Sequence, residues 1–211
     1  MPEITYGRWS PTEVMERVLD GTWVTATPPE PASTGGVLMM PTSIAYSGTS
    51  ASISTLGSVS FTGVTSLSLN GVFTGDYDNY MIATWANSSG VAIKRLRLRA
   101  SGTDESSASN YYTIQDITAD GTTVNGSRGV NNLTNSASIY ATQRVGDTMY
   151  FYGPYLAQPT AGRVVTAGDA SSAVIQDQAW THSLSNAYDG FTYFPSANNI
   201  SGRIAVYGLK G

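Results

Sequence analysis

The densest run of ionisable side chains is Lys94–Arg99, KRLRLR, which holds four of the eleven basic residues. If this run is a β-strand, Leu96 and Leu98 face one side of the sheet, and the arginines face the other at a spacing of about 7 Å. Like charges at that spacing need a counter-charge, a protein partner or an anionic ligand. We therefore take these three side chains as candidate subunit or ligand contacts: Arg95, Arg97 and Arg99.

Three interpretations of these arginines stay open. They could form a solvated face with cross-strand ion pairs, for which Asp104, Glu105 and Asp116 are near in sequence. They could contact another subunit. They could also bind a sugar acid or a phosphate, because guanidinium groups bind carboxylate and phosphate in a bidentate manner.

The remaining candidates for catalysis or metal binding lack the necessary partners. The sole histidine, His182, precedes a Ser/Asn turn, and no nucleophile elbow, phosphate-binding loop, dinucleotide fingerprint or zinc motif occurs. The segment Gly75–Asn79 offers two aspartates but not the spacing or closing glutamate of an EF-hand, so we interpret it as a turn into a strand. We expect no enzymatic activity, no catalytic residue, no metal site and no cofactor.

Composition narrows the class of protein and of partner. The 211 residues carry a formal net charge of -4 and no basic tail, so we expect no nucleic-acid partner. Cysteine is absent, which excludes disulfides and thiolate metal sites. No apolar run approaches the length of about 20 residues that spans a bilayer, so we expect no membrane insertion. There is no signal-peptide pattern at the N-terminus.

The first 41 residues differ from the rest of the chain. Ser10–Glu13 is a capping box with proline at the first helical position, and it predicts a short helix from Pro11 to Leu19. Such a helix is too short to be stable alone, so its apolar stripe either folds back on its own domain or docks onto another protein. We assign residues 1–24 as a docking segment and residues 25–41 as a Pro/Gly-rich linker. The candidate docking residues are Trp9, Val14, Met15, Val18, Leu19 and Trp23.

From residue 42 to 211 the pattern is that of many short strands. Only 12% of residues are charged, against a usual share of about 25%, and 22 glycines punctuate the chain. Apolar and polar side chains alternate in Thr148–Tyr152 and in Arg203–Tyr207, as in Lys94–Arg99, which is typical of antiparallel strands with one core face. We predict an all-β domain, an antiparallel β-sandwich of jelly-roll type, with no helix after residue 25.

The predicted strands follow one another at intervals of about 8–15 residues. They are Ser43–Ser47, Ala51–Ser54, Ser58–Phe61, Ser66–Leu69, Tyr80–Trp85, Ile93–Arg99, Tyr111–Thr118, Ser138–Ala141, Thr148–Tyr152, Arg163–Thr166, Ala173–Thr181, Phe191–Phe194 and Arg203–Tyr207. Tyrosines cluster in the second half of the domain. They suit sugar or protein contacts, but tyrosine is also a good strand former.

Several ordered motifs resemble one family. The patterns AYDGFTYFP at Ala187–Pro195 and ISGRIAVYG at Ile200–Gly208, with LSLNGVF at Leu67–Phe73 and LRLRASGTD at Leu96–Asp104, are similar to the β-domain of many tailed-bacteriophage virion proteins. The resemblance covers about residues 58–211. It implies a structural role without enzymatic activity, location in the virion and often a homotrimer. It implies no particular binding residues.

The resemblance suggests two positions for the protein in a phage particle. As a minor tail or tail-fibre component, it would project its β-domain to attach to a host surface, with other virion proteins and a host surface glycan as partners. As a capsid head-fibre or decoration protein, it would be anchored to the head by its N-terminal arm. A polysaccharide-degrading enzyme is a third hypothesis, but no specific carboxylate pair supports it.

Overall fold

A computed structural model describes residues 36–107, 110–119, 123–131, 134–139, 144–169 and 173–210. All of them belong to one compact unit, Gly35–Gly211. The predicted helix Pro11–Leu19, the predicted docking residues and the first part of the predicted linker lie outside the described residues. The docking residues in question are Trp9, Val14, Met15, Val18, Leu19 and Trp23.

The described residues form fourteen β-strands and contain no helix, so the prediction of an all-β domain is confirmed. In chain order the strands are β1 (Val37–Met39), β2 (Ser43–Ile53), β3 (Val59–Asn70), β4 (Asn79–Ser88), β5 (Ala92–Ala100), β6 (Thr103–Asp104), β7 (Tyr111–Ala119), β8 (Thr123–Asn131), β9 (Thr134–Ile139), β10 (Val145–Tyr152), β11 (Thr160–Asp169), β12 (Ala173–His182), β13 (Gly190–Pro195) and β14 (Ile200–Leu209).

The strands pair in one antiparallel, curled sheet. Its main path runs β6-β5-β13-β3-β14-β4-β10-β11-β12-β7-β8, while β1 pairs with β14, β2 with β3 and β9 with β5. Strand β3 pairs through Val59–Val64 with β14 and through Leu67–Leu69 with β13, so its two halves belong to different parts of the sheet. Strand β9, on the far side of β5, contacts β11 and β12, so the sheet curls back on itself.

Two pairs of predicted strands are in fact single long strands. Residues 43–53 and 59–70 each run through a glycine that lies in the gap between two predicted strands. Gly48 has a φ of 124° at a register shift between β2 and β3, and Gly63 has a φ of 58°. Both glycines are therefore irregularities within a strand, where the left-handed backbone bends the strand without ending it.

Three strands were not predicted: β1, β6 and β8. Strand β1 lies within the segment 25–41 that the sequence analysis assigned to the linker, and Leu38 pairs there with Tyr207. Strand β8 reads TVNGSRGVN, which has two glycines and few apolar residues, so its sequence carries little strand signal. Its neighbour β7, which pairs with β12 along its other edge, supplies the pairing.

The predicted alternation of side chains is confirmed in all three strands. The leucines of β5, Met149 and Phe151 of β10, and Ile204 and Val206 of β14 are all buried. The residues that alternate with them along each strand are more exposed to solvent. The apolar sides of these strands face a common interior. The sheet therefore has one core face and one outer face along β14, β4 and β10.

Aromatic rings fill one end of the interior. The ring of Phe73 lies 4.7 Å from that of Tyr80, 5.5 Å from that of Phe151 and 5.9 Å from that of Phe191, centroid to centroid. The hydroxyl of Tyr80 accepts a hydrogen bond from the Thr74 amide at 2.7 Å and donates one to the Thr74 carbonyl at 2.8 Å. These contacts hold the connection between β3 and β4 against the core.

The register shift in β14 yields a first prediction. A Cβ atom at Gly202 would lie 2.1 Å from the Trp85 carbonyl oxygen and 2.9 Å from the Ala86 Cα. Because backbone atoms cannot move aside cheaply, Gly202→Ala should lower the free energy of unfolding by about 2–3 kcal/mol. Urea denaturation of both proteins measures this change.

Gly146→Ala is the matched control for that variant. A Cβ atom there would meet its nearest atom, the Thr84 carbonyl oxygen, at 3.9 Å, an ordinary van der Waals distance. Its effect should stay within about 0.5 kcal/mol of the unsubstituted protein. An equal loss of stability in both variants would contradict the steric explanation.

Candidate functional site

A groove with a volume of about 420 Å³ lies on the outer face of the sheet, where β14 and β4 run side by side. Ala83 and Ala205 line it and are register partners on these two strands. Because their side chains are small, the outer surface of the sheet is recessed at this point. Larger side chains on either side therefore make a concave surface in an otherwise pleated sheet.

Aromatic and aliphatic side chains line the rest of the groove. Trp85 and Tyr207 each lie two residues along the strand from one of these alanines, and side chains two apart share a face. Leu38 comes from β1 and Leu56 from the turn between β2 and β3. Leu56 is 74% exposed. The groove thus offers apolar contact area to a ligand.

Two guanidinium groups adjoin the indole of Trp85. Arg203 pairs in register with Trp85, and its Nε and Nη2 donate to the Ser58 Oγ at 3.0 Å and 2.6 Å. The Cζ of Arg144 lies 4.0 Å from the centroid of the Trp85 ring, which is a cation–π contact. Positive charge therefore gathers at this end of the groove, although the chain as a whole is acidic.

The arrangement is suited to binding a ligand. Aromatic faces pack against the apolar faces of sugar rings, and guanidinium groups donate to carboxylate or phosphate oxygens. No group of three or more histidines, cysteines, aspartates or glutamates that could hold a metal occurs among the described residues. The side chains that line the groove offer stacking surfaces and hydrogen-bond donors.

Sequence reasoning missed this groove. Alternation in β14 and β4 indicates that Ala83, Trp85, Ala205 and Tyr207 share the outer face, but it does not show that the two strands are neighbours. That pairing joins residues 79–88 to residues 200–209. The small-large alternation AxW in β4 and AxY in β14 was the one available signal.

The three arginines of β5 alternate as predicted, but they have different surroundings. The side chains of Arg95 and Arg97 are half-buried, and the guanidinium of Arg97 lies 5.1 Å from the centre of the Phe194 ring. Both point away from the interior that holds Leu96 and Leu98. Their predicted role in subunit or ligand contact stays a prediction.

Arg99 makes its hydrogen bonds within the chain. Its guanidinium forms an ion pair with Asp104, donates to the Gly102 carbonyl and donates from Nη1 to the Thr192 Oγ1 at 2.8 Å. Its Nε donates to the Asn70 Oδ1 at 3.0 Å. With 8% of its surface exposed, Arg99 joins β5 to its neighbours. Asp104 is one of the three acids that the sequence analysis named as partners for these arginines.

His182 is fully buried in a ring cluster. The centroid of its ring lies 4.4 Å from that of Tyr111 and 5.2 Å from that of Tyr188, and its Nδ1 is 3.3 Å from the Tyr188 hydroxyl. Burial lowers the pKa of His182, and the charge of Glu105 opposes that shift only in part. The neutral imidazole therefore serves as a packing residue at the end of β12.

Residues Gly75–Asp78 form the turn that leads into β4, as the sequence analysis interpreted them. The Thr74 Oγ1 donates to the Asp76 Oδ2 at 3.2 Å, so this carboxylate is used in the local turn.

Within the described part of the chain, no helix is both long enough and apolar enough to cross a membrane.

Comparison of the chain with protein-family models, with curated proteins and with solved structures finds no match in any of the three.

The buried histidine yields a prediction about pH. The unfolded chain binds a proton at His182 near pH 6.5, whereas the folded chain resists it because its pKa is lowered. The contribution of the neutral ring is therefore present above about pH 6.5 and is lost as the pH falls through that value. Between about pH 7.5 and 5.5, the free energy of unfolding should fall by about 1 kcal/mol.

The His182→Gln variant is the control, with both proteins unfolded in urea at the two pH values. It should be less stable than the unsubstituted protein at pH 7.5, but its stability should change less across this window. Titration of Glu105 does not affect the comparison across this pH range. Although desolvation opposes the shift, hydrogen bonds with Ser107 hold its pKa below the usual value. An equally steep fall in the variant would show that another group titrates.

Proposed function

We propose that this protein is a structural component of a tailed-bacteriophage virion, a minor tail or tail-fibre protein without enzymatic activity. Its β-domain would project from the particle and attach to a host-surface glycan. Support comes from the ordered motifs between residues 58 and 211 and from the antiparallel all-β fold. The groove beside Trp85 supplies a surface with the right chemistry for such attachment.

The groove carries the proposal. Tyr207 and the indole face of Trp85 that Arg144 does not cover offer ring surfaces for a sugar, while Arg203 and Arg144 offer donors for an acidic substituent. A saccharide unit bearing a carboxylate meets both requirements. Arg203 is already oriented by Ser58, so less side-chain entropy is lost on binding.

We also propose a jelly-roll type of sandwich for the curled sheet and a homotrimer for the assembled protein. The division of β3 between β14 and β13, together with the contacts of β9 with β11 and β12, supports two facing layers. The half-buried Arg95 and Arg97 and the outer tyrosines of β10 are candidate surfaces for the subunit contact.

Substitution of the indole tests the attachment site. Trp85→Ala should weaken binding to an array of acidic bacterial polysaccharides about tenfold, equivalent to about 1.4 kcal/mol, because a stacking surface is lost. Tyr46→Ala is the matched control, since Tyr46 is 45% exposed on β2 and does not line the groove. Equal binding by both variants would exclude this groove as the glycan site.

The location in the particle needs a separate experiment. Gold-labelled antibody against residues 60–211 should mark the tail end of intact virions. Label over the head would instead favour the capsid head-fibre or decoration alternative. Absence of label from purified particles, with the antibody shown to bind the free protein, would contradict both.

A further inference from the structure

A lysine and an aspartate are enclosed together in the interior of the sheet. The Nζ of Lys94 lies 2.5 Å from the Oδ1 and 2.5 Å from the Oδ2 of Asp147, and neither side chain is exposed to solvent. Ammonium–carboxylate hydrogen bonds usually measure about 2.7–2.9 Å. The amine therefore contacts both oxygens of the carboxyl group at once.

The two residues come from distant parts of the sheet. Lys94 is on β5 and Asp147 is on β10, and β13, β3, β14 and β4 lie between these strands along the sheet. The side chains meet because the curl brings the core faces of β5 and β10 together. Lys94 has the parity of the buried Leu96, and Asp147 has that of the buried Met149.

Hydroxyl groups surround the carboxyl group of Asp147. Its register partners are Thr84 on one side and Thr166 on the other, and the Thr166 Oγ1 donates to the Asp147 Oδ1 at 2.7 Å. The buried phenol of Tyr193 also lies near. Its pKa is raised well above the usual value, first by burial and then by the charge of Asp147.

Burial of the pair away from water makes both charges costly. Two charges removed from water lose several kcal/mol of solvation each, and transfer of one proton from the ammonium to the carboxylate removes both charges. Burial lowers the pKa of Lys94, although the charge of Asp147 opposes the shift. The products of that transfer are a free amine and a carboxylic acid in contact, which are the reactants of amide formation.

We propose that Lys94 and Asp147 join in an intramolecular isopeptide bond after the domain folds. The Nζ attacks the Cγ of Asp147, and the hydrogen bond from Thr166 to Oδ1 stabilises the oxygen that gains negative charge. The transferred proton is on Oδ2, and a second proton from Nζ follows it. The Cγ–Oδ2 bond then breaks, one water molecule leaves, and a neutral secondary amide remains.

The reaction is balanced without any additional reagent. The ammonium and carboxylate together hold three transferable hydrogens, of which two leave with the water and one stays on the amide nitrogen. No oxidant, metal or cofactor takes part. Enclosure keeps bulk water away from the new bond, which protects the amide from hydrolysis.

Mass spectrometry of the purified full chain tests the proposal. After allowance for the N-terminal methionine, the intact mass should be lower than that of the sequence by one water molecule. Trypsin digestion should yield a branched peptide in which Val145–Arg163 is attached to the peptide that contains Lys94. An unmodified mass after extended incubation of the folded protein would overturn the proposal.

Two variants place the bond. Lys94→Arg keeps a cation but has no primary amine, and Asp147→Ala has no carboxyl group; both should show the full sequence mass. Persistent loss of water in either variant would also overturn the proposal, because another pair of groups would then be responsible. The measurement on the unsubstituted protein stands even if a variant folds poorly.

Discussion

The arrangement of the sheet depends on the hydrogen bonding of β3. One edge of this strand is shared, with β14 along its first half and β13 along its second, while β2 pairs with the other edge. Backbone donors and acceptors in the interior must be paired, so the strand has to bend where its partner changes. Gly63, with a φ of 58°, lies near that change. The enclosure of Lys94 with Asp147 follows from the curl, since it brings β5 over β10.

Strands β4 and β10 serve the two faces of the sheet in different ways. Thr84 faces the interior beside Asp147, whereas Trp85, one residue along, faces outward and lines the groove. The interior has aromatic side chains at one end and polar side chains in the middle. A buried polar group there lowers the stability of the fold unless it is hydrogen-bonded. A substitution in β4 is therefore expected to affect either the core or the groove according to its parity.

Local sequence predicted much of the fold but little of the site. Alternation of residue types was sufficient to identify β5, β10 and β14 and their buried faces, because side-chain direction depends only on position along a strand. The gaps predicted between strands around Gly48 and Gly63 were wrong, because a glycine indicates an irregular backbone without showing whether the strand continues. The same alternation places Lys94 on the core face with Leu96, so the burial of Lys94 could have been predicted. Its pairing with Asp147, and the groove between Ala83 and Ala205, depend on long-range contacts that one sequence does not reveal.

The position of β14 has a consequence for how the chain folds. It is a central strand, paired with β4 on one edge and with β3 and β1 on the other, so Gly208 lies between Tyr80 and Val37. While residues 200–209 are still unmade, β3 and β4 have been synthesised with open hydrogen-bonding edges. Closure of the sheet must then span most of the domain's sequence, which slows folding and leaves these edges open to pairing with other chains. The yield of folded protein should therefore depend on how long the edges of β3 and β4 stay unpaired before β14 is made.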